Sequence, residues 1–157
     1  DAGNAHGLKL FGALAVESMR LEKGYLHWKA DILTEFNPFE TGLDRFIQMD
    51  KADFVGKEAL MEQRAEGPRK QLVTLTLDST VAPAHGGASV MVEGSVVGTV
   101  TSGGWGYRVG QNLAYAFVDP DMAQVGTACE IDVLGHLIKA SVSPMGPYDP
   151  TMALVRG

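Results

Sequence analysis

Gln71-Leu72-Val73-Thr74-Leu75-Thr76-Leu77 alternates in the period-2 manner of a half-buried strand. It opens a run of similar segments. The stretches 89–92 and 95–101 read as strands, and Glu93-Gly94 between them is a hairpin-turn signal. Strands over 113–118 and 130–134 follow, and Gly135-His136 turns the chain into a last one over 137–142. About six short strands joined by glycine-bearing turns predict an all-β antiparallel barrel or sandwich for residues 68–157.

Upstream of Pro68 the pattern changes. Residues 8–23 have helical periodicity, and Gly24 stands where a C′ glycine ends a helix. Asn37-Pro38 marks a turn, with a short helical turn over 39–42 after it. Residues 45–49 read as a short strand. A second helix is predicted over 54–65, with Asp53 as N-cap and Gly67-Pro68 as its end. The first helix carries Leu8, Leu10, Phe11, Leu14, Val16, Met19 and Leu21 nearly all round its circumference, so it must be covered on several sides. The other elements of 1–67 are too few to do this. The first part therefore reads as a piece of a larger α+β unit.

Apolar residues make up 45% and charged residues 20% of the chain, the balance of a folded globular protein rather than a disordered one. A net charge of -6 argues against a nucleic-acid partner, which needs clustered Lys and Arg, and the densest basic patch is only Arg69-Lys70. No apolar run approaches the ~20 residues of a membrane span, and no signal-peptide pattern opens the chain. The start, Asp1-Ala2-Gly3-Asn4, lacks an initiator Met and reads as a loop inside something longer. Cys129 is the single cysteine, which excludes an intrachain disulfide, and its alternating surroundings predict a buried thiol rather than a nucleophile. An acidic chain without disulfides fits the bacterial cytoplasm or the mitochondrial matrix.

The residue of most chemical interest is Glu22. It shares a helix face with Leu8, Phe11, Ala15 and Met19 at spacings of three and four, whereas Lys9, Glu17 and Arg20 fall toward the opposite, more solvated side. A carboxylate on an apolar stripe must find donors. Two readings are open: it escapes to solvent or pairs with Lys29 or Arg45, or it is kept for a ligand with two adjacent N–H donors, such as the guanidine-like edge of a pterin. Tyr25, Trp28, Phe36 and Phe39 follow closely; they serve either core packing or stacking on a flat ligand.

Other motifs carry less. The glycine-rich stretch 103–110 lacks the Gly-Lys-Ser/Thr ending of a phosphate loop and is predicted to be a barrel loop. Val55-Gly56-Lys57-Glu58 has no upstream glycine at the right distance. His6, His27, His85 and His136 share no metal-ligand spacing and read as surface or loop residues. His85-Gly86-Gly87 has no Gly-x-Ser-x-Gly partner, and Asp119 and Asp121 flank Pro120 as turn formers.

The order of these segments resembles the glycine-cleavage T-protein superfamily over nearly the whole chain. The likeness lies in Ser18-Met19-Arg20-Leu21-Glu22-Lys23-Gly24-Tyr25 with Trp28, then Asn37-Pro38-Phe39-Glu40-Thr41-Gly42-Leu43, then Asp53-Phe54-Val55-Gly56-Lys57-Glu58-Ala59-Leu60. It continues in Gly98-Thr99-Val100-Thr101-Ser102-Gly103-Gly104 and Leu113-Ala114-Tyr115-Ala116. The stretches 20–31 and 39–46 are similar in particular to the folate-binding half of dimethylglycine and sarcosine dehydrogenases.

This resemblance implies that 1–67 is the C-terminal portion of an aminomethyltransferase folate-binding domain and 68–157 the family's C-terminal β-barrel. It implies tetrahydrofolate as cofactor, with Glu22 on the pterin ring. Lys51 falls where the T-protein branch has a folate-contacting arginine, although lysine lacks the planar fork of arginine. Tyr148 lies near a C-terminal folate-contacting tyrosine of the family, and Tyr25 and Trp28 are implied cavity-wall residues. Catalytic residues are expected upstream of Asp1, and none is assigned here. The implied parent is an FAD-dependent enzyme that oxidises a small N-methyl amine and makes methylene-tetrahydrofolate, its FAD held by upstream domains of the same polypeptide. A free-standing aminomethyltransferase or related demethylase is the alternative. A non-catalytic folate-binding or docking module is the alternative of another class.

Overall fold

The computed structural model describes residues 2–157; Asp1 lies outside them. Six strands, β1 (Gln71–Leu77), β2 (Ser89–Val92), β3 (Ser95–Gly106), β4 (Gln111–Val118), β5 (Ala128–Val133) and β6 (His136–Ser143), close a barrel in the order β1-β4-β3-β2-β5-β6. Every pairing is antiparallel. Glu93 and Gly94 take the turn between β2 and β3 at φ 50° and 79°, the left-handed pair of a two-residue hairpin.

Inside the barrel, Val73, Leu75 and Leu77 of β1 pack with Val90, Val100, Ala114, Ala116, Ile131 and Val142. The opposite face of β1 is not solvated, as simple alternation predicts. Leu72 instead joins Leu113, Tyr115 and Phe117 in a second cluster outside the barrel wall, covered by Leu21, Leu26 and Phe36. Phe36 stacks on Phe117 with ring centroids 3.6 Å apart. The N-terminal part is thus fastened to the barrel by a core of its own.

That part contains α1 (Ala13–Lys23), α2 (Pro38–Thr41) and α3 (Lys57–Glu66), and a short α4 (Ala153–Arg156) ends the chain. In α2, Asn37 and Glu40 form a reciprocal capping box. Burial pushes the Glu40 carboxyl up, but N–H donors of Asn37, Arg69 and Lys70 and the Arg69 side chain outweigh it and hold the group below the usual range. The same carboxylate therefore ties α2 to the start of β1.

Several expectations are corrected. Helix α1 begins at Ala13, not Leu8, and Leu8 and Phe11 lie exposed in the approach to it. Residues 45–49 form no strand; a 3-10 turn at Asp44–Phe46 takes their place. Helix α3 starts after Gly56, whose φ of 90° breaks the predicted continuity from Phe54, and Asp53 caps nothing. Strand β3 runs on through Gly103–Gly106, which the sequence assigned to a loop. Here the glycines are a packing requirement: a Cβ on Gly104 would lie 3.0 Å from Leu21 Cδ1, and one on Gly106 2.9 Å from Glu22 Cγ. Helix α1 lies directly on this part of the strand.

Helix α1 remains apolar on its outer side. Leu14 is 86% exposed, and Val16 and Met19 about half. No helix among the described residues is long and apolar enough to cross a membrane.

Candidate functional site

The last turn of α1 is held by main-chain contacts from two directions. Gly24 ends the helix at φ 78°, and the Tyr25 N–H donates to the Arg20 carbonyl at 2.9 Å. A Cβ on Gly24 would lie 3.1 Å from the Gly146 backbone, and one on Gly146 would lie 2.9 Å from the Lys23 carbonyl. With no Cβ on either, segment 144–150 lies against the helix end. The Tyr148 N–H donates to the Glu22 carbonyl at 2.9 Å. Lys23 Nζ donates to Asp149 Oδ2 at 2.6 Å and to the Asp149 carbonyl at 3.0 Å. The Lys23 ammonium holds the Asp149 carboxyl below the usual aspartate range.

From the other side comes the β3–β4 turn. Glu22 is 2% exposed, and its Oε1 accepts the backbone N–H groups of Arg108 at 2.5 Å and Val109 at 3.0 Å. It pairs with neither Lys29 nor Arg45. Its Oε2 makes no hydrogen bond among the described residues. Glu22 lines a cleft of about 310 Å³ with Met19, Lys23, Tyr25, Arg108 and Tyr148. A second cleft of about 520 Å³ lies on its other flank, where Met19, Glu22 and Arg108 are joined by Ser18 and Tyr107.

Arg20 is not on a solvated face. It is 9% exposed, and its guanidinium bonds Glu17 Oε2 through Nε at 2.7 Å and Asp31 Oδ2 through Nη1 at 2.6 Å. Asp31, fully buried, also accepts the His27 N–H at 2.9 Å and the Thr101 hydroxyl at 2.6 Å, together with the Ser102 hydroxyl. Neighbouring strand residues ordinarily face opposite sides. Here the ladder shifts between Val100 and Ser102, leaving Thr101 as a bulge, and both hydroxyls reach one carboxylate. The Tyr115 hydroxyl donates to the Leu21 carbonyl at 3.0 Å and completes the fastening of α1 to the barrel.

The structure thus gathers three of the five sequence-predicted site residues, Glu22, Tyr25 and Tyr148, around one cleft. Trp28 is 62% exposed and pairs only in an isolated bridge with Ile32. Lys51 is exposed, with its carbonyl bonded by Lys57 Nζ at 2.6 Å. Neither lines the cleft. Sequence reasoning missed Arg108 and Asp31. Arg108 sat in a glycine-rich stretch read as a plain loop, and Asp31 carried no local signal. The four histidines are all exposed, and no group of three metal-ligating side chains occurs among the described residues. Burial, then the neighbouring Glu130, pushes the Cys129 thiol up to about 11, so it stays protonated and unreactive near neutrality.

Comparison with known proteins matches this architecture. The family model for the glycine cleavage T-protein C-terminal barrel domain covers residues 70–149, and that of the GCVT N-terminal domain covers 1–51. Mitochondrial dimethylglycine dehydrogenase of Rattus norvegicus is 37% identical over 96% of this chain, which spans 18% of that protein. Mitochondrial sarcosine dehydrogenase of Mus musculus is 34% identical over 99% of the chain, again 18% of its length. An aminomethyltransferase of Saccharopolyspora erythraea is 35% identical over 94% of the chain, which spans 41% of it. The crystal structure of glycine cleavage system aminomethyltransferase T from Bartonella henselae superposes with a TM-score of 0.81 at 28% identity, over 87% of this chain and 38% of that one. The barrel, the segment docked on it and these matches together show that the chain belongs to the glycine cleavage T-protein family.

Proposed function

We propose that the chain is the C-terminal part of a tetrahydrofolate-dependent one-carbon transfer module in which Glu22 holds the pterin ring. The observation that carries this reading is the state of the Glu22 carboxylate. One oxygen is fixed by two main-chain N–H groups, and the other has no partner on the wall of a cleft. A carboxylate aimed in this way suits a ligand edge bearing adjacent N–H donors, which a pterin presents. Tyr25 and Tyr148 line the same cleft; Tyr25 is free to stack on a flat ligand, whereas the Tyr148 ring already carries the Arg108 and Lys23 cations. Its volume of about 310 Å³ is at the small end for ligand sites, which run from roughly 300 to 1,000 Å³.

When bound, tetrahydrofolate supplies the nitrogen that takes up a one-carbon unit. The residues of this chain bind and orient it. Glu22 sets the ring's direction, Tyr25 restricts its tilt, the main-chain N–H groups of Arg108 and Val109 keep the carboxylate from swinging, and that of Tyr148 fixes the Glu22 carbonyl. Their contribution is positioning, which brings reactants into near-attack geometry. We assign no catalytic residue to this chain.

Glu22→Gln in the full-length protein tests the reading, because it keeps an acceptor for the turn while replacing the unpaired oxygen with a donor. Calorimetry with 5-formyltetrahydrofolate should show binding weakened by about 1.5–3 kcal/mol, the worth of a hydrogen bond to a charged group. Unchanged affinity would remove Glu22 from the site.

We infer further that the parent is an FAD-dependent dimethylglycine or sarcosine dehydrogenase-like enzyme acting on a small N-methyl amine. This is supported by 37% and 34% identity to such relatives over nearly the whole chain. A free-standing aminomethyltransferase is the second reading, favoured by 35% identity to one such enzyme and by the fold of another. Flavin absorbance of the purified full-length protein separates the two.

A further inference from the structure

The Glu22 cleft carries a cation that the pterin contact leaves unused. Three basic side chains line it. Arg20 is tied to Glu17 and Asp31, and Lys23 to Asp149. Arg108 is different: among the described residues its guanidinium makes no ion pair or hydrogen bond. It sits over the face of Tyr148, 5.6 Å from the ring centroid, which limits its directions without neutralising it. Lys23 Nζ lies 5.8 Å from the centroid of the same ring.

The placement of Arg108 gives the cleft two chemically opposite groups. Its main-chain N–H is one of the two that fix Glu22, so carboxylate and guanidinium spring from one junction. Glu22 is 2% exposed, whereas Arg108 is exposed and lines the clefts on both flanks of Glu22. A buried acceptor and an exposed donor fork thus line one cleft, with the Tyr148 ring beside the fork. A ligand that satisfies both groups carries N–H donors on a flat ring system and an anion some distance away. A guanidinium takes a carboxylate through paired N–H donors.

We propose that Arg108 is a binding residue for the carboxylate-bearing tail that a folate carries beyond its pterin ring. This assignment rests on the reading of Glu22 as the pterin contact. It divides the site into a ring-holding end and a tail-holding end, with the β3–β4 turn contributing main chain to the first and a side chain to the second.

The test uses the full-length protein, two ligands and three variants. 5-Formyltetrahydrofolate has both ends; 6-methyltetrahydropterin keeps the donor edge and lacks every carboxylate. Arg108→Ala leaves the main-chain N–H in place, so the anchoring of Glu22 is undisturbed. It should weaken 5-formyltetrahydrofolate by about 10- to 100-fold, the equivalent of one charged hydrogen-bonded contact, and leave 6-methyltetrahydropterin unchanged. Arg108→Lys should recover part of the loss, since the charge returns without the fork. Glu22→Gln should weaken both ligands. Loss of both ligands alike in Arg108→Ala, or of neither, would overturn the tail assignment while leaving Glu22 in place. A Glu22→Gln protein that binds both ligands normally would instead overturn the pterin reading, and the tail assignment with it.

Discussion

Removing the Asp31 carboxylate should loosen the junction between α1 and the barrel more than any cleft substitution. Asp31 is fully buried and receives four donors: Arg20 Nη1, the His27 N–H and the hydroxyls of Thr101 and Ser102. In Asp31→Ala the Arg20 guanidinium stays 9% exposed with only the half-exposed Glu17 as counter-ion. Breaking a buried ion pair from one side costs roughly 3–5 kcal/mol. The unpaired His27 N–H and Ser102 hydroxyl add to this, offset by water entering the space of the lost side chain, so ~3–5 kcal/mol is the expected total. Hydrogen exchange of the peptide covering 24–32 in the full-length protein reads this locally. At 1.36 kcal/mol per tenfold, its exchange should speed up by roughly two to nearly four orders of magnitude, unless global opening sets a lower ceiling. Adding Arg20→Met removes the stranded charge and should restore at least ~1 kcal/mol. A loss below ~1 kcal/mol in Asp31→Ala, or a double variant no better protected than the single one, would refute the claim that this buried pair holds the junction.

Two further outcomes follow from contacts at the helix end. Gly106→Ala places a methyl group 2.9 Å from both Glu22 Cγ and Val109 Cγ2, so thermal unfolding should show destabilisation of ~1–3 kcal/mol alongside weaker folate binding; normal values for both would mean that Glu22 does not lie against β3. The Asp149 carboxyl is held below its ordinary value of 3.8 by Lys23, so its contribution is complete above that pH and is lost as pH falls through the lowered folded value. Proteolysis of segment 144–150 should accelerate in that acid window, and Asp149→Asn should show the faster cleavage already at neutral pH; a variant as resistant as the parent would exclude the Lys23 contact as the tether.

The barrel was readable because its strands announce themselves locally. Val73, Leu75 and Leu77 repeat every second residue, and Glu93-Gly94 names its own turn. What failed was whatever depends on residues distant in the chain. Gly104 and Gly106 break the apolar alternation of β3 because their side-chain space is occupied by Leu21 and Glu22 from more than eighty positions upstream, and that of Gly103 by the Ala84 backbone. Arg20 projects to the polar side of α1 on a helical wheel, yet Asp31 returns beneath it and encloses it. Glu22 stood out as a carboxylate on an apolar stripe, but Leu8 and Phe11 of that stripe lie outside α1 and exposed; its burial comes from the distant β3–β4 turn. The place of Arg108 beside Glu22 was not legible, since it comes from a turn whose main chain meets a helix more than eighty positions upstream.

The contact of segment 144–150 with the end of α1 also ties the cleft to the order of synthesis. Strand β6 ends at Ser143, so all six staves are synthesised before Tyr148 and Asp149 are added. Of the residues lining the cleft in this chain, Tyr148 is the last to be made. A chain ending at Ser143 would hold every stave of the barrel and lack the Tyr148 wall of the cleft, so a probe of barrel structure alone does not report on the pocket.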